Sequence, residues 1–168
     1  MPGLRAAAAL VLAALFLSTP SAAARSVPPD SEWATVTGFA SGCRVTMQGQ
    51  SGLEYQVRYA GLDCPSPGHS LYDQASLANG AAVLGQRVRL ERDGADVDST
   101  GARLRHLYLA GHDTPQGADM VGSGWAWPDA AQPTRYADLY LQLRDVARSA
   151  GAGVWRSEER RVGKECRL

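Results

Sequence analysis

The sequence predicts an α+β domain, mainly β. Three observations predict it: five short stretches with strand-like patterning, three stretches with helical spacing, and Gly- or Pro-containing turns between them. Of the 168 residues, about 130 belong to this domain once two atypical ends are set aside, enough for one hydrophobic core.

The first strand is expected over residues 33–39, where Val36 and Phe39 stand among small residues. Residues 43–47 make a second strand, 48–53 a Gly-rich turn, and 54–62 a third strand that runs into a loop at 63–68. Residues 71–84 place Leu71, Ala75, Ala78, Ala82 and Val83 at helical spacing. Asn79 and Gly80 lower helix propensity inside that stretch, and Gly85 stands where a helix stop belongs. Residues 86–91 alternate as a fourth strand and 104–109 read as a fifth. A short helix is expected within 113–124, around Ala118, Met120 and Val121. The longest covers 136–150, with Tyr136, Tyr140, Leu143 and Ala147 on one face and Gly151 and Gly153 at its end. This order fits a five-stranded barrel of oligonucleotide-binding (OB) type with about three helices, although other α+β folds share the same strand count.

The ends have a different character. Arg5 precedes twelve apolar residues at 6–17, then Ser18, Thr19, Pro20 and the small residues Ser21 to Ala24. That three-part layout predicts a secretory signal peptide over 1–24, cut after Ala24, and twelve apolar residues are too few to span a bilayer comfortably. A flexible leader is expected over 25–32, and the domain over 33–155. Residues 156–166 read Arg-Ser-Glu-Glu-Arg-Arg-Val-Gly-Lys-Glu-Cys, a charge cluster containing the chain's one lysine. A solvated basic tail would look similar. The string resembles the translation of a short-read sequencing adapter, so residues 156–168 are expected to be read-through and carry no weight for the fold.

Residues 25–155 hold eleven arginines against fourteen acidic residues, a balance of −3 with histidines neutral. Tight nonspecific nucleic-acid binding needs a basic footprint, and this balance weighs against it while leaving room for a local arginine patch. With Cys166 in the tail, Cys43 and Cys64 remain, an even pair that in an exported chain favours a disulfide.

A longer pattern runs through the chain: Val57-Arg58-Tyr59-Ala60-Gly61-Leu62-Asp63-Cys64-Pro65, then Ala75, Leu84 to Leu90, Asp98-Ser99-Thr100-Gly101, Leu104 to Tyr108, Met120 to Ala126, Ala147-Arg148 and Gly153-Val154-Trp155. In order and spacing it resembles the staphylococcal nuclease-like (thermonuclease) family from about Gly42 to Trp155. The resemblance implies a five-stranded OB barrel with three helices that hydrolyses phosphodiesters with calcium. Such chemistry needs oxygen ligands for a hard cation, a carboxylate to orient or deprotonate water, and cationic donors for the charge that develops at phosphorus.

Carried over residue by residue, the resemblance leaves that machinery incomplete. Arg58 falls on the first phosphate-gripping arginine, whose planar fork suits a phosphate, though an arginine bracing the barrel mouth through carboxylates would read the same. Asp63 falls on a calcium-ligand position, or serves only as a turn residue before Pro65. Cys43 stands where the second metal carboxylate belongs, and one carboxylate makes a poor calcium site. Ser66 stands at the catalytic carboxylate, and a neutral hydroxyl is no equivalent base. Ala102 stands at the second phosphate arginine; Arg103, one place along, faces the other side of a regular strand unless a bulge turns it.

Cys64 lies at a position whose backbone oxygen also reaches the metal in the family, so the resemblance implies a Cys43–Cys64 disulfide in the calcium's place. Two free thiols, or a zinc site completed by His69 or His106, are the alternatives. His69, His106 and His112 could replace a missing base, and Trp125, Trp127, Tyr136 and Tyr140 could stack on bases; more plainly, the histidines are polar residues of the surface and the aromatics complete the core. The expectation is an exported, catalytically impaired binding or structural module, with single-stranded DNA or RNA as weak partners. An active nuclease with an altered site using Arg58 is the alternative.

Overall fold

The computed structural model describes residues 31–156; the expected signal peptide over 1–24, most of the leader and the tail beyond Arg156 lie outside the described residues. Five strands close a barrel in the order β1-β2-β3-β6-β5, with β1 at Ser31–Ser41, β2 at Arg44–Gly49, β3 at Glu54–Tyr59, β5 at Arg87–Glu91 and β6 at Arg103–Leu109. β3 and β6 pair in parallel and the other neighbours are antiparallel. Three helices accompany them: α1 at Tyr72–Val83, α2 at Gln116–Gly122 and α3 at Ala137–Ser149. This is the α+β, OB-like barrel that the patterning predicted.

β1 closes the barrel by pairing with β5 through its first half and with β2 along most of its length. Register shifts at Val36/Gly38 and Phe39/Ser41 bend it between the two partners, as bulges do in small barrels. Closure also explains a corrected boundary. Ser31 and Glu32, expected in the leader, are strand residues opposite Glu91 and Leu90, because β1 must be long enough to serve two neighbours.

Alternation along the strands sends Val36, Val45, Met47, Val57, Val88, Leu90 and Leu107 into one core. The expected third strand breaks early. It ends at Tyr59, and Leu62–Asp63 forms a separate short strand, β4, that pairs with β7 at Trp127–Pro128. The chain turns at Gly61, whose φ of 72° suits glycine and whose missing side chain admits Thr134. Cys43, expected within the second strand, precedes it in a tight turn.

α1 keeps the Asn79-Gly80 pair in mid-helix for packing reasons. Asn79 is fully buried; its Oδ1 accepts the Tyr59 hydroxyl at 2.7 Å and its Nδ2 donates to the Ser41 carbonyl at 3.0 Å. A side chain at position 80 would collide with the Phe39 ring. α2 packs on α3, and Gly117 lets Leu62 and Tyr140 approach its backbone. α3 buries Tyr140 and Ala147, while Tyr136 and Leu143 pack against the core. No described helix is long and apolar enough to cross a membrane.

Candidate functional site: a cleft at the barrel mouth

The turn before β2 and the loop after β4 meet at one end of the barrel, where Cys43 and Cys64 form a disulfide with their Cα atoms 5.9 Å apart. Gly42 makes the approach possible, since a Cβ there would lie 3.1 Å from Ala75 and 3.3 Å from the Cys64 sulfur. Beside the bond opens a cleft of about 410 Å³, lined by Ser41, Arg44, Arg58, Asp63, Ser66 and Tyr72 among others. With the cysteines joined, the free-thiol and zinc alternatives fall away. A disulfide fits an oxidising compartment.

Arg58 projects from β3 into this cleft. Its guanidinium donates to the Leu62 carbonyl at 3.0 Å, while the carboxylates of Asp129 and Asp63 lie at 3.6 and 3.8 Å. Those carboxylates have local duties. Asp63 accepts the N–H of Cys64 at 3.0 Å and Asp129 the N–H of Ala131 at 2.9 Å, both turn-forming contacts.

Asp63 is half exposed, its side chain at 55 %, the Cys43 side chain has no oxygen to offer a cation, and the Cys43 carbonyl accepts the Tyr59 N–H. Among the described residues no group of three or more His, Cys, Asp or Glu is placed to hold a metal ion. The donor set does not fit calcium, which takes six to eight oxygens.

Ser66 lines the cleft, but no carboxylate occupies its place. Ala102 is buried, and Arg103 points elsewhere: it donates to Glu32 at 3.2 Å and stacks on the Tyr55 ring at 4.1 Å. The alternation of β6 holds, and no bulge turns this guanidinium toward Arg58.

Sequence reasoning passed over Arg44. It stands on β2 directly opposite Arg58, so both side chains share a face of the sheet. Its guanidinium donates to Asp98 and Thr100, each at 2.8 Å. Asp98 is itself fixed by the Thr100 hydroxyl and by the N–H groups of Thr100 and Ala102. Burial alone would raise the Asp98 carboxyl, but these hydrogen bonds and the Arg44 charge outweigh it and hold the group below the usual carboxylate range. The available signal was the hairpin register: once the turn at 48–53 pairs Gln48 with Glu54, Arg44 must fall opposite Arg58.

The histidines lie elsewhere. The His69 ring accepts the N–H of Leu71 in the loop before α1, and His112 sits in the exposed turn after β6. His106 is buried in a separate network, its Nε2 3.0 Å from Asp93 and its Nδ1 3.4 Å from the Tyr140 hydroxyl. Tyr136, Tyr140 and Trp125 pack in or against the core, and Trp127 pairs with Asp63 across β4 and β7. The chain matches no protein-family model and no curated protein.

Proposed function

We propose that this chain is an exported thermonuclease-like barrel with a degenerate nuclease site, acting as a binding or structural module rather than as a calcium nuclease. The observation that carries the reading is the Cys43–Cys64 disulfide at the barrel mouth, beside a lone half-exposed Asp63. Sulfur stands where a carboxylate cradle would be needed, and Ser66 and Ala102 supply neither a base nor a second cation. Export rests on the signal-like layout of residues 1–24 and on a disulfide suited to the periplasm or the medium. Weak single-stranded DNA or RNA binding is the partner class consistent with an OB-like barrel of acidic balance.

A second reading, a working nuclease with an altered site, draws on Arg58, which lines the cleft and whose guanidinium donates one hydrogen bond, to the Leu62 carbonyl. Purified exported protein assayed on labelled single-stranded DNA and RNA, with calcium, with other divalent ions and with chelator, separates the two. The expected result is no cleavage above background in any condition. Robust cleavage that Arg58→Ala abolishes would establish the second reading.

A further inference from the structure

We propose that the outer face of α1 pairs two copies of this chain, helix against helix and antiparallel, about a two-fold axis near Ala81. The surface is a different one from the cleft, to which α1 contributes Tyr72 from its first turn, so the pairing stands whether or not the cleft binds a ligand.

The first support is the way the helix is turned. α1 buries Ala75, Ser76, Asn79, Gly80 and Val83, two of them polar and one a glycine, and leaves Leu77 63 % and Leu84 50 % exposed. A surface helix of a lone domain carries its leucines inward and its polar groups outward. Here the inner face serves close contact instead, with Asn79 bonded to Tyr59 and Gly80 making room for the Phe39 ring, and the leucines stand on the outside. Leu77, Ala81 and Leu84 follow one another at i, i+4 and i+7, so they form one stripe and not scattered exposures.

The second support is the placement of charge, which selects a second copy as the occupant. Residues 74–86 contain no Asp, Glu, Lys or Arg. Asp73 precedes this stretch and Arg87 follows it, both exposed. Among the described residues neither enters an ion pair, and the Arg87 guanidinium lies over the Trp33 ring. A two-fold axis that sets Leu77 of one copy against Leu84 of the other brings Asp73 of each copy toward Arg87 of its mate. An isologous contact therefore places opposite charges at both of its ends and none between them.

The third support is shape. Ala81 at the axis offers only a methyl group, which lets two helices approach to about 8 Å, the near end of the usual range. The antiparallel arrangement also sets the positive end of each helix dipole beside the negative end of the other. A contact centred on one 12-residue helix falls short of the roughly 800 Å² per partner of a standard interface, so the dimer forms in the micromolar to millimolar range.

The test is sedimentation velocity on the disulfide-intact exported protein from micromolar to millimolar concentration. The expected result is a reversible monomer–dimer equilibrium. Leu77→Glu and Leu84→Glu, both at exposed positions, should each raise the dissociation constant at least about tenfold, whereas Val146→Glu on the exposed side of α3 should leave it unchanged. Asp73→Arg and Arg87→Asp should each weaken pairing several-fold, and the two together should restore it. Isotope-filtered NMR on a mixture of labelled and unlabelled protein should show contacts between the methyl groups of Leu77 and Leu84 of different copies.

A protein that stays monomeric to millimolar concentration overturns the pairing. So does a dimer indifferent to Leu77→Glu, association that continues beyond two copies, or a double charge reversal that fails to recover affinity. A monomer whose signals over residues 77–84 shift on adding phosphatidylglycerol vesicles would assign the face to a membrane surface and overturn the pairing as well.

Discussion

Asn79 illustrates how a single residue can read one way in sequence and another in space. Its propensity cost was legible, but its two buried hydrogen bonds, to Tyr59 and to the Ser41 carbonyl, depend on strands distant in sequence. Asn79→Ala leaves the fully buried Tyr59 hydroxyl without an acceptor and should cost about 2–3 kcal/mol in urea unfolding. Adding Tyr59→Phe should return part of that loss by removing the orphaned donor; two additive losses would show that the pair is not coupled. His106 makes the corresponding case for titration. Burial, the largest influence, lowers its pKa, and the Asp93 hydrogen bond and charge only partly oppose this. The neutral ring therefore donates from Nε2 to Asp93 and accepts from Tyr140 at Nδ1. Since the folded state disfavours the proton, its contribution is full above the unfolded value of about 6.5 and is lost as pH falls through that value toward the lower folded one. Denaturant midpoints should be flat near pH 7–8 and fall as the pH drops below about 6.5. His106→Asn should flatten that slope, and an unchanged slope would assign it to other groups.

At the scale of elements, the helices and most strand boundaries were legible within a residue or two, because periodicity and glycine stops are local signals. What escaped was set by pairing. β4 and β7 are two-residue strands that exist only through each other, and the start of β1 at Ser31 follows from closure against β5. The direction of Arg103 was legible from alternation, while the place of Arg44 required the β2–β3 register. The disulfide ties the turn before β2 to the loop after β4 across a sequence separation of 21 residues. In the chain-entropy view, closing a loop of that length stabilises by about 3 kcal/mol. Reduction, or Cys43→Ser with Cys64→Ser, should lower unfolding stability by about that amount, read from denaturant curves with and without reductant. Alkylation of unreduced protein should label neither cysteine; labelling of both would remove the bond on which this end of the barrel depends.

Across the whole molecule, the arginines are largely spent on the protein itself. Arg44, Arg58, Arg89, Arg103, Arg105, Arg135 and Arg144 all have carboxylate neighbours, and Arg87 lies over the Trp33 ring. Most of the described arginines are therefore already paired, on top of the acidic balance of residues 25–155. The cleft offers a nucleic acid two guanidiniums, Arg44 and Arg58, and that limit is measurable. Each phosphate neutralised on a single strand contributes about −0.7 to the slope of log K against log salt, so two contacts give about −1.4. Fluorescence anisotropy of a labelled single strand, titrated from low to physiological salt, should return a slope near that value and little binding at the upper end. Arg44→Met and Arg58→Met together should bring it close to zero. A slope of −4 or steeper would require an extended phosphate track, and with it a binding surface other than this cleft.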